Sequence, residues 1–288
     1  MREADAAALH VTGPGLRWFD DWYVVEEIAS GLFGIGEPNY HQLNWNYLAV
    51  GRERALLFDT GPGLRDIRPV VASLTDRPAT ALLSHLHFDH AGNFHRFADR
   101  ALADLPVLRA CESDGMFMAP EEMFLGSCED MRWIPVGIGQ WWPVGHRIDL
   151  GGLALEIVAT PGHSPDSISL YDADRKILLS ADFLYPGQLY GQIPGAFLPD
   201  YLASAVALGQ RLPDDVLILG AHGEALPGSS QATPRLSTGD LADLATGLAA
   251  IRDGNMPLIG RDPDVYRING RLSLLAGPPS YGPWRRRL

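Results

Sequence analysis

Five short apolar runs in this chain each stop at an aspartate or a histidine, and that repetition constrains the fold more than any other feature. Ala55-Leu56-Leu57-Phe58 runs into Asp59-Thr60-Gly61, Thr80-Ala81-Leu82-Leu83-Ser84 into His85, and Leu155-Glu156-Ile157-Val158-Ala159-Thr160 into Pro161-Gly162-His163. Lys176-Ile177-Leu178-Leu179-Ser180 runs into Ala181-Asp182, and Val216-Leu217-Ile218-Leu219 into Gly220-Ala221-His222. Short apolar runs that end on turn-forming or polar residues read as buried strands entering loops. Strand ends in mixed α/β sheets are where a rigid scaffold hands over to functional loops, so polar groups delivered there can converge on one place.

Helical segments separate these strands, over about 89–97, 201–212 and 238–252, the last behind Ser237 with Asp240 three residues on as a capping pair. Residues 46–50 and 54–58 read as a hairpin around Gly51, and 265–268 and 271–275 flank Asn269-Gly270, a strong hairpin signal. The stretch from Tyr185 to Gly195 reads as a loop. Strands alternating with helices, with antiparallel hairpins at both ends, predict a mixed α/β architecture rather than a purely parallel sheet.

Residues 101–150 break this rhythm. Met116, Met118, Met123, Met131, Trp133, Trp141 and Trp142 sit among Pro and Gly without a clean period. Adaptable Met and aromatic side chains line apolar pockets well, so the segment is expected either as a lid or insertion over a substrate or as an ordinary packing face. On the first reading Met118, Trp141 and Trp142 contact substrate, with Tyr190 as a further candidate.

Composition narrows the partners. The 288 residues carry a formal charge of −12, a poor match for nucleic acid or an anionic membrane, and no run is long and apolar enough to span a bilayer. Two cysteines, Cys111 and Cys128, are too few for a disulfide framework and read as inert buried thiols. With acidic residues early in Met1-Arg2-Glu3-Ala4-Asp5 and no apolar signal core, the expectation is a cytoplasmic protein acting on a small molecule, its oligomeric state open with a homodimer as one option.

The chemistry concentrates in His85-Leu86-His87-Phe88-Asp89-His90, three imidazoles and a carboxylate within six residues. Just past a strand end His85 and His87 can point one way, while Asp89 and His90, turning into a helix, reach the other side of a small cavity. Imidazole and carboxylate suit zinc and similar ions, and a catalytic zinc typically keeps about three protein ligands and an open position. Six residues therefore offer ligands for two metals but complete neither. His163, Asp182 and His222, at the other strand ends, supply what is missing. Any one of these residues alone could be a hydrogen-bonded strand terminus; packed together without a cation they would leave buried polar groups unpaired.

The ordered set FDTG, HLHFDH, PGH, SAD and AHG, spread over about residues 46–223, resembles the five motifs of the metallo-β-lactamase superfamily. The resemblance implies a single domain over 1–288 with the four-layer αββα fold, two mixed sheets flanked by helices. It also implies a partition of ligands: His85, His87 and His163 on one metal, Asp89, His90 and His222 on the other, Asp182 bridging, and Asp59 orienting a ligand histidine. Two divalent ions, zinc first with manganese, iron or cobalt as alternatives, would then activate a bridging hydroxide for hydrolysis, with Asp89 or Asp182 collecting the proton.

Substrate is less constrained. Asp182-Phe183-Leu184-Tyr185 resembles the arrangement in the superfamily's N-acyl-homoserine lactonases, which implies Tyr185 as a hydrogen-bond donor to a substrate carbonyl. The leading expectation is an ester or lactone hydrolase, with a thioester also within reach. The alternatives are a phosphodiesterase or phosphotriesterase on the same site, a β-lactamase, a mono-iron enzyme like persulfide dioxygenase, and a non-catalytic metal-binding protein. Glyoxalase II enzymes share the motifs but usually end in a basic glutathione-binding segment; Arg285-Arg286-Arg287 is instead expected to be a solvated tail.

Overall fold

The computed structural model describes residues 15–223 and 232–287; the early acidic residues 1–5 and the side chains of Arg285 to Arg287 lie outside the described residues. Two mixed sheets carry the five motif strands. The first is eight-stranded and runs, edge to edge, Leu16–Trp18, Val24–Ala29, Leu32–Glu37, Asn44–Val50, Ala55–Phe58, Ala79–Leu82, Arg100–Ala103, Gln140–Trp142. Its first half is an antiparallel meander; from Ala55–Phe58 onward the strands pair in parallel. The second is six-stranded, Arg147–Asp149, Ala154–Ala159, Ile168–Asp172, Ile177–Ala181, Leu217–Gly220, Arg235–Ser237. Its one parallel pair joins Ile177–Ala181 to Leu217–Gly220.

Period-two patterning explains the layering. Along the second sheet Leu155, Ile157, Leu170, Ile177, Leu179 and Leu219 join the core shared with the first sheet, whereas Val158, Tyr171, Leu178 and Ile218 face a second core. That second core is completed by Tyr201, Ala205 and Leu208 of helix Leu198–Arg211 and by Leu241, Leu244 and Leu248 of helix Thr238–Arg252. Ile67, Val70, Val71, Phe94 and Phe97 join the first core. Ala55–Phe58 is buried at every position, as a strand must be when both sheet faces are covered.

The departures from the sequence reading have identifiable causes. The expected helix over 89–97 is a four-residue helix, Phe88–Ala91, and a 3-10 turn, Phe94–Arg96, interrupted at Gly92-Asn93. The helix expected from Tyr201 starts earlier, at Leu198, because Pro199 occupies its first turn, where a missing N–H costs nothing. The presumed loop 185–195 contains a strand, Gly187–Gly191. That strand pairs in parallel with Leu272–Ala276, so the C-terminal hairpin belongs to a separate four-stranded sheet with Asp264–Arg267 and Leu258–Gly260. Its glycines and distant partner hid it.

Segment 101–150 completes the edge of the first sheet at Arg100–Ala103 and Gln140–Trp142 and folds an aromatic cluster beneath. The Trp133 ring meets Phe117 and Phe124, both at 5.5 Å, and Phe94 at 6.2 Å. Cys111 is half-buried and Cys128 exposed, so neither is the buried thiol expected.

Two loops that end motif strands are in backbone contact. Thr60 N–H donates to the His90 carbonyl at 2.7 Å, and Gly92 N–H to the Gly61 carbonyl at 2.8 Å. A Cβ on Gly92 would lie 2.1 Å from the Pro62 carbonyl carbon, which backbone cannot yield. Glu37, at the end of Leu32–Glu37, is fully buried and accepts from Trp22 Nε1 (2.7 Å) and Asn46 Nδ2 (3.2 Å). Burial pushes its carboxyl up to about 7, against the partial opposition of those donors.

Gly92→Ala is therefore expected to destabilise the fold by about 1–3 kcal/mol, the usual range for overpacking, measured as a fall in the urea midpoint at unchanged slope. For Glu37 the folded pKa lies above the ordinary value of 4.5, so its contribution to stability is complete below that value and lost as pH rises to about 7. The metal-free protein should thus lose about 2 kcal/mol between about pH 5 and pH 8 through this group. Glu37→Gln should flatten that slope in denaturant titrations at the two pH values.

Candidate metal centre

Five of the seven motif side chains lie at or just past strand ends, Asp89 and His90 lie on the short helix Phe88–Ala91, and all seven are buried, between 1 and 7 % exposed. The first sheet delivers His85, His87, Asp89 and His90; the second delivers His163, Asp182 and His222. Their ligand atoms fall into three overlapping groups, His85/His87/His163, His85/His90/Asp182 and Asp89/His90/His222, each within 4.8 Å.

The orientation of the rings follows from what holds their outer nitrogens. The Ser84 hydroxyl donates to Asp59 Oδ2 (2.8 Å) and so accepts from His85 Nδ1 (2.8 Å). His163 Nδ1 donates to the Tyr190 carbonyl (3.0 Å), His222 Nδ1 to the Gln42 carbonyl (3.0 Å), and His90 Nδ1 to Asp59 Oδ2 (3.0 Å). Because each partner is an acceptor, four imidazoles in their neutral form carry the proton on Nδ1 and a lone pair on the inward Nε2. His87 enters the other way, through Nδ1, which lies 2.8 Å from His85 Nε2 and 3.0 Å from His163 Nε2.

Asp182 lies between the groups. Its Oδ1 is 3.2 Å from His90 Nε2 and 3.0 Å from His222 Nε2, and its Oδ2 is 3.3 Å from His163 Nε2. Asp89 Oδ2 approaches His90 Nε2 at 3.3 Å and His222 Nε2 at 3.4 Å. Asp59 accepts from the Ser84 N–H (2.7 Å) as well as from His90 and the Ser84 hydroxyl, so it braces the His85 and His90 rings from behind.

Electrostatics test whether a cation fits. Burial, reinforced by neighbouring imidazoles, holds His85 and His87 well below the ordinary histidine range, His87 at about 3; burial also lowers His163. Those rings are neutral, as ligands must be. Burial opposes ionisation of Asp89 and Asp182, yet the surrounding imidazoles keep both carboxyls low. The same carboxylates outweigh burial at His90 and His222 and draw those two upward. With neutral imidazoles the two buried carboxylates would lack a counter-charge, which protons on His90 and His222 or a bound cation supplies. His90 Nε2 and Asp182 Oδ1 are also buried without a hydrogen bond. Converging lone pairs, buried carboxylate charge and orphaned inward atoms are what divalent ions would satisfy, so the donor set fits them.

Other expected residues lie elsewhere or act differently. The Tyr185 hydroxyl donates to the Gln188 carbonyl at 2.7 Å, which removes it as a free donor; its ring meets His222 edge-on at 5.1 Å. Tyr190 serves through its backbone carbonyl while its side chain is 42 % exposed. Trp141 is covered by the Arg109 guanidinium at 4.1 Å, Trp142 stacks on His146 at 5.7 Å, and Met118 is exposed. Trp141 and Trp142 lie on the strand at the far edge of the first sheet, and Met118 follows the short strand Met116–Phe117, outside that sheet. Sequence reasoning missed Asn44, whose Nδ2 donates to Asp89, and the Gln42 and Tyr190 carbonyls, which carry no side-chain signal at all.

The chain is 29 % identical over 211 residues to an acyl-coenzyme A thioesterase, MBLAC2, of Bos taurus, covering 65 % of this chain and 76 % of that one. It is 28 % identical over 185 residues to a hydroxyacylglutathione hydrolase of Hahella chejuensis, covering 62 % of each. A metallo-beta-lactamase from Pontibacter korlensis superposes with a TM-score of 0.57 at 19 % identity, over 79 % of this chain and 99 % of that one, a likeness of fold. The profile of the Metallo-beta-lactamase superfamily matches residues 42–222, a span that holds every donor described above, and the chain belongs to that superfamily.

Proposed function

We propose that this protein is a dinuclear metal-dependent hydrolase of acyl esters, with thioesters as its preferred class. The observation that carries the two-ion reading is the pair of three-donor groups, His85/His87/His163 and Asp89/His90/His222, with Asp182 within 3.3 Å of both. When bound, divalent ions supply Lewis-acid polarisation of an acyl oxygen and a lowered pKa for water. Zinc suits the mixed imidazole and carboxylate set, and manganese, iron and cobalt accept it too.

The chain's own residues do the rest. His85, His87 and His163 present neutral lone pairs, and Asp59 with Ser84 holds the His85 and His90 rings against rotation. Asp182, shared between the groups, fixes their spacing. Asp89 and Asp182 stay ionised despite burial, so either can accept the proton released when water attacks the carbonyl. All seven donors are buried, which limits competing water.

The thioester preference rests on relatives whose names specify an acyl group carried on coenzyme A or glutathione. The lactone reading depended on a free Tyr185 hydroxyl, and that hydroxyl is bonded to Gln188. A formal charge of −12 disfavours nucleic acid as the phosphodiester.

The test is kcat/KM of zinc-loaded protein on an acyl-coenzyme A thioester, an acyl lactone of equal chain length and an activated phosphodiester, each with a chelated control. At least about tenfold preference for the thioester, abolished by chelation, is expected; a lactone or phosphodiester preference overturns the substrate assignment, and chelator-resistant turnover overturns the metal. Tyr185→Phe should lower kcat less than about 3-fold and cost about 1 kcal/mol of stability, the worth of one hydrogen bond. A loss near 10²-fold with metal retained would instead identify Tyr185 as an oxyanion donor.

A further inference from the structure

The hairpin that joins Leu32–Glu37 to Asn44–Val50 pairs Glu37 with Asn44 in register and closes through Tyr40 N–H to the Glu37 carbonyl (3.0 Å) and Leu43 N–H to the Tyr40 carbonyl (2.9 Å). Leu43 takes φ 53°, a left-handed turn conformation. This tip touches two donors of the Asp89/His90/His222 group. The Gln42 carbonyl accepts from His222 Nδ1, and Asn44 Nδ2 donates to the Asp89 carbonyl (2.7 Å) and to Asp89 Oδ2 (3.2 Å). Asp89 Oδ2 is the same oxygen that faces His90 and His222.

The direction of the Asn44 amide is not arbitrary. Both atoms facing it are acceptors, so reversing the amide would set oxygen against two oxygens. Its own Oδ1 is buried and has no hydrogen bond, so the amide is held in place by what its nitrogen donates. Asn44 is 2 % exposed, which shields that bond from competing water. The remaining group is supported from elsewhere: His85 by Ser84 and His163 by the Tyr190 carbonyl. Asp59 is common to the two groups, bonded to His90 directly and to His85 through Ser84, whereas the Asn44 side chain and the Gln42 carbonyl bond only to members of the Asp89/His90/His222 group.

We propose that Asn44 is a positioning residue for one of the two ions, fixing Asp89 Oδ2 for the Asp89/His90/His222 site and leaving the His85/His87/His163 site unaffected; the proposal rests on the two-ion reading above. Partners of this kind behind a ligand are commonly worth about 10- to 100-fold in metal affinity. Without the donor, the carboxylate of Asp89 is free to rotate about its last torsion and presents its oxygen to the ion only part of the time.

The experiment titrates zinc into the full chain against a chromophoric chelator, for the wild type, Asn44→Ala and Asn44→Leu, the last being close in size to Asn and lacking the donor. Expected are two tight ions in the wild type, and in both variants one ion unchanged within about 3-fold and one weakened about 10- to 100-fold. A general loosening of the fold would weaken both ions together and lower the unfolding temperature in parallel; that result, or two unaltered affinities, overturns the assignment of Asn44. If Asn44→Ala does not fold, Asn44→Leu decides. A wild type that takes up a single ion overturns the two-ion reading itself, and is seen before any variant is made.

Discussion

The structure depends on one arrangement: imidazole rings from two separate sheets turned so that their lone pairs face each other in a buried space. Left alone, such a cluster is unfavourable, since it combines desolvated carboxylates with nitrogens that have no protons to share. It persists because the outer edge of four of the five rings is satisfied. Asp59, Ser84, the Gln42 carbonyl and the Tyr190 carbonyl each take an N–H, and those bonds decide which nitrogen looks inward. His87 is the exception: its outward Nε2 is buried and unpartnered. Everything else in the fold, from the parallel strands of the first sheet to the crossing at Leu217–Gly220, serves to bring these edges into register.

Much of this was legible because strand and chemistry share a punctuation mark. A strand that stops at Asp59, His85, His163, Asp182 or His222 announces both its own end and the identity of the loop, and the cluster of donors follows from five such stops. The helix Thr238–Arg252 was legible for a similar reason, since Ser237 and Asp240 cap it reciprocally, as the structure bears out. Local signals of that kind survive without tertiary context.

What escaped was written in partners far along the chain. Gly187–Gly191 looks like a loop until Leu272–Ala276 lies beside it, and nothing near residue 187 announces a partner near residue 272. The Met and Trp residues of 101–150 fit a pocket lining and a packing face equally well; Trp141 and Trp133 make packing contacts, with Arg109 and with Phe117 and Phe124, while Met116 and Met118 are exposed. Asn44 escaped for a different reason. An asparagine at a strand start is ordinary, and only Asp89, 45 residues later, makes it specific. Tyr185 illustrates the converse: its position three residues after Asp182 matched a known arrangement, but the Gln188 carbonyl competes for its proton.

The separate sheet of Gly187–Gly191, Leu272–Ala276, Asp264–Arg267 and Leu258–Gly260 has an architectural consequence. The superfamily match ends at residue 222, so three of these four strands come from chain beyond it. Yet their fourth partner carries Tyr190, whose carbonyl sets the tautomer of His163. A minimal core cut after residue 222 would keep all seven donors and lose the strands that hold one of them in aim. The appended sheet is thus a trellis for the core rather than a passenger on it, and trimming or grafting this scaffold has to carry it along.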